Sequence, residues 1–244
     1  MDNPYRLLGV SLCAAGAIFA PVSYFVIGSV AMTALGISAV MLGFTCIALA
    51  SARAPVSSEA CELMLQTGMQ NTAALLEELE LTGKAVYLPS TMADGPGRAL
   101  VPLSDGQAIL RVRGKVPARL IVRYGLGPEE MAVSVTTPGA MTIQLLDTRP
   151  GPTPADIEAA TGYILTGALD IATSVGVRMT DSTVEVEVDG PRLGYEDAWY
   201  YRCLGSPIAS IAAAVSSEAL GHPVRIKEES QDRGRSRITL EVLE

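Results

Sequence analysis

Histidine is nearly absent from this chain, whose 244 residues include only His222. This argues against a histidine-based metal site or a histidine-dependent catalytic triad within one chain. Of the four cysteines, Cys61 and Cys203 lie outside the apolar amino-terminal run, far apart and without metal-site spacing, so we expect free thiols in a reducing compartment. The sequence predicts neither a metal nor a cofactor. His222 is explained as a residue near the negative end of a helix dipole.

Charged residues are missing altogether from residues 7–52, between Arg6 and Arg53. One membrane-spanning helix needs about 20 mostly apolar residues, so this run is long enough for two. Its apolar character dips around Gly28, where a tight turn fits. We therefore predict a transmembrane helical hairpin over residues 1–52, with spans at 7–26 and 30–50. The lack of ionisable groups argues against a proton relay or ion path within it.

The flanking arginines, Arg6 and Arg53, predict the orientation of this hairpin. Both lie close to the outer helix ends, while the central turn carries no charge. By the positive-inside rule, the chain is expected to be a multi-pass cell-membrane protein with both termini and its remaining mass in the cytoplasm. The alternative is a secretory signal peptide cleaved after Ala20, but Pro21 would follow the cut directly and a second apolar span comes next.

Small residues recur at four-residue spacing inside both predicted spans. Gly16 and Ala20 form one pair, and Ala39 and Gly43 form the other. Such pairs let helix backbones approach closely in lipid, either between copies of the chain or within the hairpin itself.

The rest of the chain is acidic, with a net charge of −8 carried outside the spans. This charge argues against nucleic acid as a partner. Residues 53–82 are predicted to be a linker and stalk helix, with a serine cap near residue 58, a helix over 59–81 and Gly83 just past its end. Residues 83–244 are predicted to be a cytoplasmic α+β domain. A proline-rich stretch at 148–154 is a possible sub-boundary.

The predicted fold class of this domain is α+β, with one mixed or antiparallel sheet and packed helices. A helix is expected to begin at Thr153-Pro154 and to run to Val175, where Gly176 stops it, and another covers 206–220. Strict alternation predicts a strand over 183–189. The remaining predicted strands cover 85–88, 98–103, 107–112, 119–124, 132–135, 141–146, 224–227 and 237–243, with Pro138-Gly139 as a turn.

Residues 191–204 form the most aromatic stretch of the chain and contain the candidate ligand site. Aromatic groups with a few polar ones suit small-molecule pockets, although a half-buried loop that packs its rings on the core explains the same pattern. Cys203 precedes a helix, where the dipole lowers a thiol pKa; the alternative is a quiet buried cysteine. The candidate ligand-binding residues are Tyr195, Glu196, Asp197, Trp199, Tyr201 and Cys203.

Two charged groups of residues complete the candidates. One is a basic cluster near the carboxyl end, which either contacts a phosphate or lipid head group or pairs with the surplus acids. Its members are Arg225, Lys227, Arg233, Arg235 and Arg237. The other comprises Glu185, Glu187 and Asp189, which form the wet face of a strand or bind a cation.

Residues 203–242 resemble the end of the 4-vinyl reductase domain, a small-molecule-binding module. The resemblance lies in Cys203, the following helix, the run from Gly221 to Glu229, Gly234 and the last strand. Members of that family often carry cysteines in the final loop and strand. This sequence has Ser230 and Arg235 there, so the resemblance gives no support for a metal site. The two-span layout also resembles uncharacterised archaeal membrane proteins.

These observations lead to three functional hypotheses. The first is a membrane-anchored, non-enzymatic module that binds a small ligand or a protein partner as a sensor, adaptor or scaffold. The second is a structural subunit of an oligomeric membrane complex, assembled through the hairpin. The third is an enzyme, which requires an acid pair such as Glu196 and Asp197 to converge in a cleft.

Overall fold

The computed structural model describes residues 4–52, 58–103, 112, 114–125, 127, 130–180, 182–193, 199–232 and 234–243. The chain divides into two compact units, Met1–Leu65 and Gln66–Glu244. The division falls inside a helix, and the sequence-based boundaries at residues 52 and 82 stay predictions.

The first unit contains two apolar helices joined by a tight turn. Helix α1 (Pro4–Val22) continues into a π-helical turn (Ser23–Ile27), and α2 (Val30–Ala52) follows. Pro21 lacks an N–H and so disturbs the α-helical ladder, which favours the wider π turn just beyond it. Gly28 then reverses the chain with a φ of +68°. The predicted pair of apolar helices is confirmed, and it is compatible with a membrane hairpin.

By length and composition alone, three described helical segments could cross a membrane. Two are Tyr5–Ile27 and Val30–Ala50, whose side chains are mostly exposed. The third, Trp199–Leu220, is mostly buried inside the second unit and supplies much of its core.

Helix α3 (Ser58–Glu78) contains the division between the two units and ends earlier than predicted. Glu80 adopts a left-handed φ of +52°, and the Leu81 N–H donates to the Leu76 carbonyl, which closes the helix end. The predicted stop at Gly83 was therefore wrong. Buried Leu76 and Leu81 fix this end against the core.

The second unit is built on one antiparallel sheet of eight strands, as the α+β prediction required. The order across the sheet is β3-β4-β2-β1-β7-β8-β6-β5. The strands are β1 (Val86–Leu88), β2 (Arg98–Pro102), β3 (Ile121–Arg123), β4 (Met131–Val135), β5 (Ser174–Thr180), β6 (Thr183–Asp189), β7 (Val224–Asp232) and β8 (Arg235–Val242).

Helices cover one face of this sheet. Helix α7 packs on β1, β7 and β8, while α4 and α5 flank α7. Alternating apolar residues of β6 and β8, such as Val186 and Ile238, point to these helices and form the main core. The helices are α4 (Pro138–Thr142), α5 (Pro154–Gly162), α6 (Trp199–Leu204) and α7 (Pro207–Leu220).

Local signals located several of these elements correctly. Thr153 and Asp156 form a reciprocal capping box at the start of α5, and Ser206 caps α7. Strand β6 has the predicted bounds.

Other predictions were wrong. Residues 141–145 of the strand predicted over 141–146 form helical turns instead, because Thr137 caps α4 and Pro138 occupies its first turn. Val175 belongs to β5 and not to the preceding helix, which ends in a π turn at Ala168. Residues 107–111 of one predicted strand lie outside the described residues.

Candidate functional site

The short helix α6 is fixed to the segment that precedes and forms β1. The Trp199 indole Nε1 and the Cys203 Sγ both donate to the Leu81 carbonyl, at 3.1 and 3.2 Å. The Ala85 N–H donates to the Cys203 carbonyl at 2.7 Å. The Tyr87 hydroxyl donates to the Leu204 carbonyl at 2.5 Å. Both ends of α6 are therefore hydrogen-bonded to residues 81–87, which lie far upstream in the sequence: Leu81 and Trp199 are 118 positions apart.

A cavity of about 300 Å³ lies beside α6. Two of the predicted ligand residues, Tyr201 and Cys203, line it, and six further residues complete its wall. These are Thr82, Lys84, Arg202, Gly205, Ile226 and Glu229. A volume of this size is at the lower end of small-molecule pockets, and the lining combines apolar and polar groups as such pockets do.

Opposite charges face this cavity from different elements. The Lys84 Nζ donates to the Lys227 carbonyl at 2.6 Å. A carboxylate oxygen of Glu229, Oε2, accepts from the Ser206 N–H at 3.0 Å, at the start of α7. The Arg202 guanidinium lies 5.8 Å from the centre of the Trp199 ring, a cation–π distance. The wall thus offers both a cation and an anion to a bound molecule.

A β-bulge turns Glu229 toward the helix-covered face of the sheet. The pairing register of β7 with β8 shifts between Ile226 and Glu228, so that Glu229 stands opposite core residue Ile238. Residues directly opposite in an antiparallel pair share a face. Simple alternation from Ile226 would have assigned Glu228 to that face, and the sequence analysis therefore missed Glu229.

Gly205 forms the tight connection between α6 and α7. Its φ of +73° lies in the left-handed region, and a Cβ there would approach Ile226 Cδ1 to 2.5 Å. Only glycine satisfies both requirements without displacing the cavity wall.

The position of Cys203 favours a thiol of low reactivity. Its side chain is buried, and burial raises the pKa of the thiol above its ordinary value. A thiol with a raised pKa is a poor nucleophile at neutral pH, so the geometry favours the quiet buried cysteine over the reactive one.

The other predicted ligand residues have different positions. Tyr195, Glu196 and Asp197 lie outside the described residues. Trp199 packs against the main core and does not belong to the cavity wall.

The basic cluster is paired with acids on the open face of the sheet. Arg225 contacts Glu241 at 2.6 Å, while Arg235 contacts Asp189 and Arg237 contacts Glu187, both at 2.7 Å. The hydrogen bonds from these arginines lower the pKa values of Glu187 and Asp189. Lys227 is exposed, and Arg233 lies outside the described residues. The pairing alternative is thus realised for three arginines, and contact with a phosphate or lipid stays a prediction.

The hairpin glycines lie where the backbones of α1 and α2 approach each other closely. A Cβ at Gly16 would lie 2.6 Å from the Gly36 carbonyl oxygen, and one at Gly36 would lie 2.8 Å from the Ala20 nitrogen. A Cβ at Gly43 would lie 2.8 Å from the Gly9 carbonyl oxygen. The small residues therefore let the hairpin pack on itself, which was one of the two alternatives. Assembly between copies stays a prediction.

A family model described as a domain of unknown function, DUF7982, matches residues 3–242. The chain belongs to this family. The match includes both the apolar hairpin and the α+β unit, so the two form one family architecture. Neither a search of curated proteins nor a search of solved structures finds a match.

Within the part of the chain that the structure describes, no group of three or more His, Cys, Asp or Glu side chains could hold a metal ion. Among the described residues, the cavity beside α6 therefore offers hydrogen bonds and charge rather than a metal-binding cluster.

Proposed function

We propose that the protein is a membrane-anchored module whose α+β unit binds a small ligand in the cavity beside α6. The hairpin is the anchor and the cavity is the sensing site. Membership of the family assigns no activity, so the proposal rests on the chemistry of the cavity and of the apolar helices.

The composition of the hairpin supports its role as an anchor. Both segments are long and apolar, and their large side chains are mostly exposed, as lipid-facing groups are. Tyr5 lies near one end of α1 and Tyr24 near the other, and tyrosine is enriched at both surfaces of a bilayer. Arg6 favours a cytoplasmic position for the chain termini and for the α+β unit.

The single observation that carries ligand binding is the convergence of Lys84, Tyr201 and Glu229 on one cavity. These residues come from three separate parts of the chain, and backbone hydrogen bonds hold the two charged groups in place. Preorganised polar groups in a small, partly apolar cavity are typical of ligand sites. The comparisons give no support to the resemblance of residues 203–242 to the 4-vinyl reductase domain, so the proposal does not rest on it.

The experiment is a thermal-unfolding screen of the full chain in detergent against a metabolite panel. Thr82 is an exposed residue at the cavity, so Thr82→Trp should fill the site without disturbing the core. Thr180→Trp makes the same change at an exposed position of β5 and is the matched control. We expect at least one compound to raise the unfolding midpoint of the parent and of Thr180→Trp, but not of Thr82→Trp. A panel without any shift, or shifts that survive Thr82→Trp, would count against the proposal.

The anchor is tested by labelling in intact cells with a membrane-impermeant maleimide, using the parent as background. Ile27→Cys introduces an exposed thiol at the hairpin turn. Thr180→Cys introduces one in the α+β unit. We expect labelling of Ile27→Cys in intact cells and of Thr180→Cys only after lysis; the reverse pattern would contradict the orientation.

A further inference from the structure

Of the three charged residues that line the cavity beside α6, Lys84 and Glu229 carry opposite charges and do not form an ion pair, and the third is Arg202. Lys84 and Glu229 both line it, yet the ion pairs among the described residues include none between them. Opposite charges that share a small cavity and stay apart leave room for a molecule that contacts both.

Backbone groups hold each charge and leave it spare bonding capacity. The Lys84 ammonium has three N–H donors, and within the described chain one of them binds the Lys227 carbonyl. The Glu229 carboxylate has two oxygens, and Oε2 accepts from the Ser206 N–H. Further donors therefore remain on Lys84 and a further acceptor oxygen remains on Glu229.

We propose that the ligand is a compact zwitterion, whose anionic group binds Lys84 and whose ammonium group binds Glu229. This inference rests on the proposed function and names the ligand class for the same cavity. Ile226 and the ring of Tyr201 supply apolar surface for the body of such a molecule. A ligand with a single charge would contact only one of Lys84 and Glu229, and that mismatch is the source of selectivity.

The test is isothermal titration of the full chain in detergent with defined probes. The probes are the twenty common L-amino acids, γ-aminobutyrate and 5-aminovalerate, which vary the side chain and the separation of the charges. Each zwitterion that binds is compared with its deaminated acid and its decarboxylated amine. We expect both one-charge analogues to bind about tenfold more weakly or worse, the loss typical of one hydrogen bond to a charged group.

Two conservative variants test which protein charge binds which charged group of the ligand. Glu229→Gln keeps an oxygen that can accept from Ser206 N–H, and Lys84→Gln keeps a donor for the Lys227 carbonyl. We expect Glu229→Gln to bind the deaminated acid as well as the zwitterion, and Lys84→Gln to do so with the amine. Glu228→Gln and Lys227→Gln, at exposed neighbouring positions outside the cavity wall, should keep the parental preference.

The outcomes separate this inference from the proposed function. If a deaminated acid or an amine binds the parent as tightly as the zwitterion, the inference fails while ligand binding stands. The inference also fails if no probe binds but another metabolite gives a shift that Thr82→Trp abolishes. If no probe or metabolite binds, both fail. Selectivity is measured first in the parent, so the result does not depend on whether a variant folds.

Discussion

Replacing Glu218 should reduce the stability of the α+β unit strongly. Its side chain is buried on α7, where the two carboxylate oxygens accept from the Ser90 N–H and the Ser90 hydroxyl, both at 2.7 Å. Arg149 lies 3.5 Å from the same carboxylate. The carboxylate thus satisfies the first N–H of the helical turn Ser90–Met92, which follows β1.

The expected loss of stability on replacing Glu218 follows from these contacts. A hydrogen bond to a charged group contributes about 1.5–3 kcal/mol, and Glu218→Ala removes two. Arg149 is about half exposed, so its ion pair adds at most about 1 kcal/mol. We expect Glu218→Ala to lower the free energy of unfolding by about 3–7 kcal/mol. Glu218→Gln, whose amide oxygen can still accept one bond, should cost about half as much.

The assay is urea unfolding of the full chain in detergent, followed by tryptophan fluorescence. Trp199 is the only tryptophan and packs against the main core, so its emission reports on the α+β unit. Ser90→Ala and Arg149→Ala serve as partial controls: the first loses one of the two hydrogen bonds and should cost about 1.5–3 kcal/mol, and the second should cost about 1 kcal/mol. A loss below about 1 kcal/mol for Glu218→Ala, or a larger loss for Arg149→Ala, would refute the reasoning.

Three further predictions concern the sheet and the thiol. Glu158 accepts a 2.8 Å hydrogen bond from the Val177 N–H on edge strand β5, so Glu158→Ala should abolish hydrogen-exchange protection of that amide; unchanged protection contradicts this. Arg237 lowers the pKa of Glu187. The stability that this pair contributes is therefore complete above the ordinary pKa of 4.5 and is lost as the pH falls through the lowered folded-state pKa. The stability difference between the parent and Arg237→Gln should therefore be constant at neutral pH and shrink in acid, whereas a difference that grows in acid has the wrong sign. Cys203 should react with iodoacetamide far more slowly in the folded than in the urea-unfolded protein at neutral pH, and equal rates would contradict its burial.

Elements with strong local signals could be predicted from the sequence alone. The apolar helices are specified by a long run without charge, and β6 by strict alternation of apolar and charged residues. The cap at Thr153 is a short-range signal that needs no tertiary contact. Each of these depends on residues a few positions apart, which a single sequence contains in full.

The errors arose where apolar residues fit more than one structure. The apolar pattern after Gly139 predicts a strand, but Thr137-Pro138 is also a helix start. Close packing favours the helix, because a Cβ at Gly139 would collide with the Ser210 carbonyl of α7. Val175 lies at helical spacing from earlier apolar residues, but a π turn ends that helix before β5 begins. Tertiary packing overrides a short apolar pattern in both cases.

The candidate site was found only in part for a similar reason. Tyr201 and Cys203 stand out in an aromatic stretch, so composition alone identified them. Lys84 and Glu229 join them through the pairing of β1 with β7 and through a β-bulge, neither of which one sequence displays. Alternation correctly assigns residues to a face only where the register is continuous.

The most direct test of the central claim is an experimental density map of the full chain, prepared with the compound from the panels that gives the largest thermal shift. The account predicts density for that compound in the cavity beside α6, within hydrogen-bond distance of both Lys84 Nζ and a Glu229 carboxylate oxygen. A compound bound elsewhere on the α+β unit, with this cavity empty at saturating concentration, would contradict it.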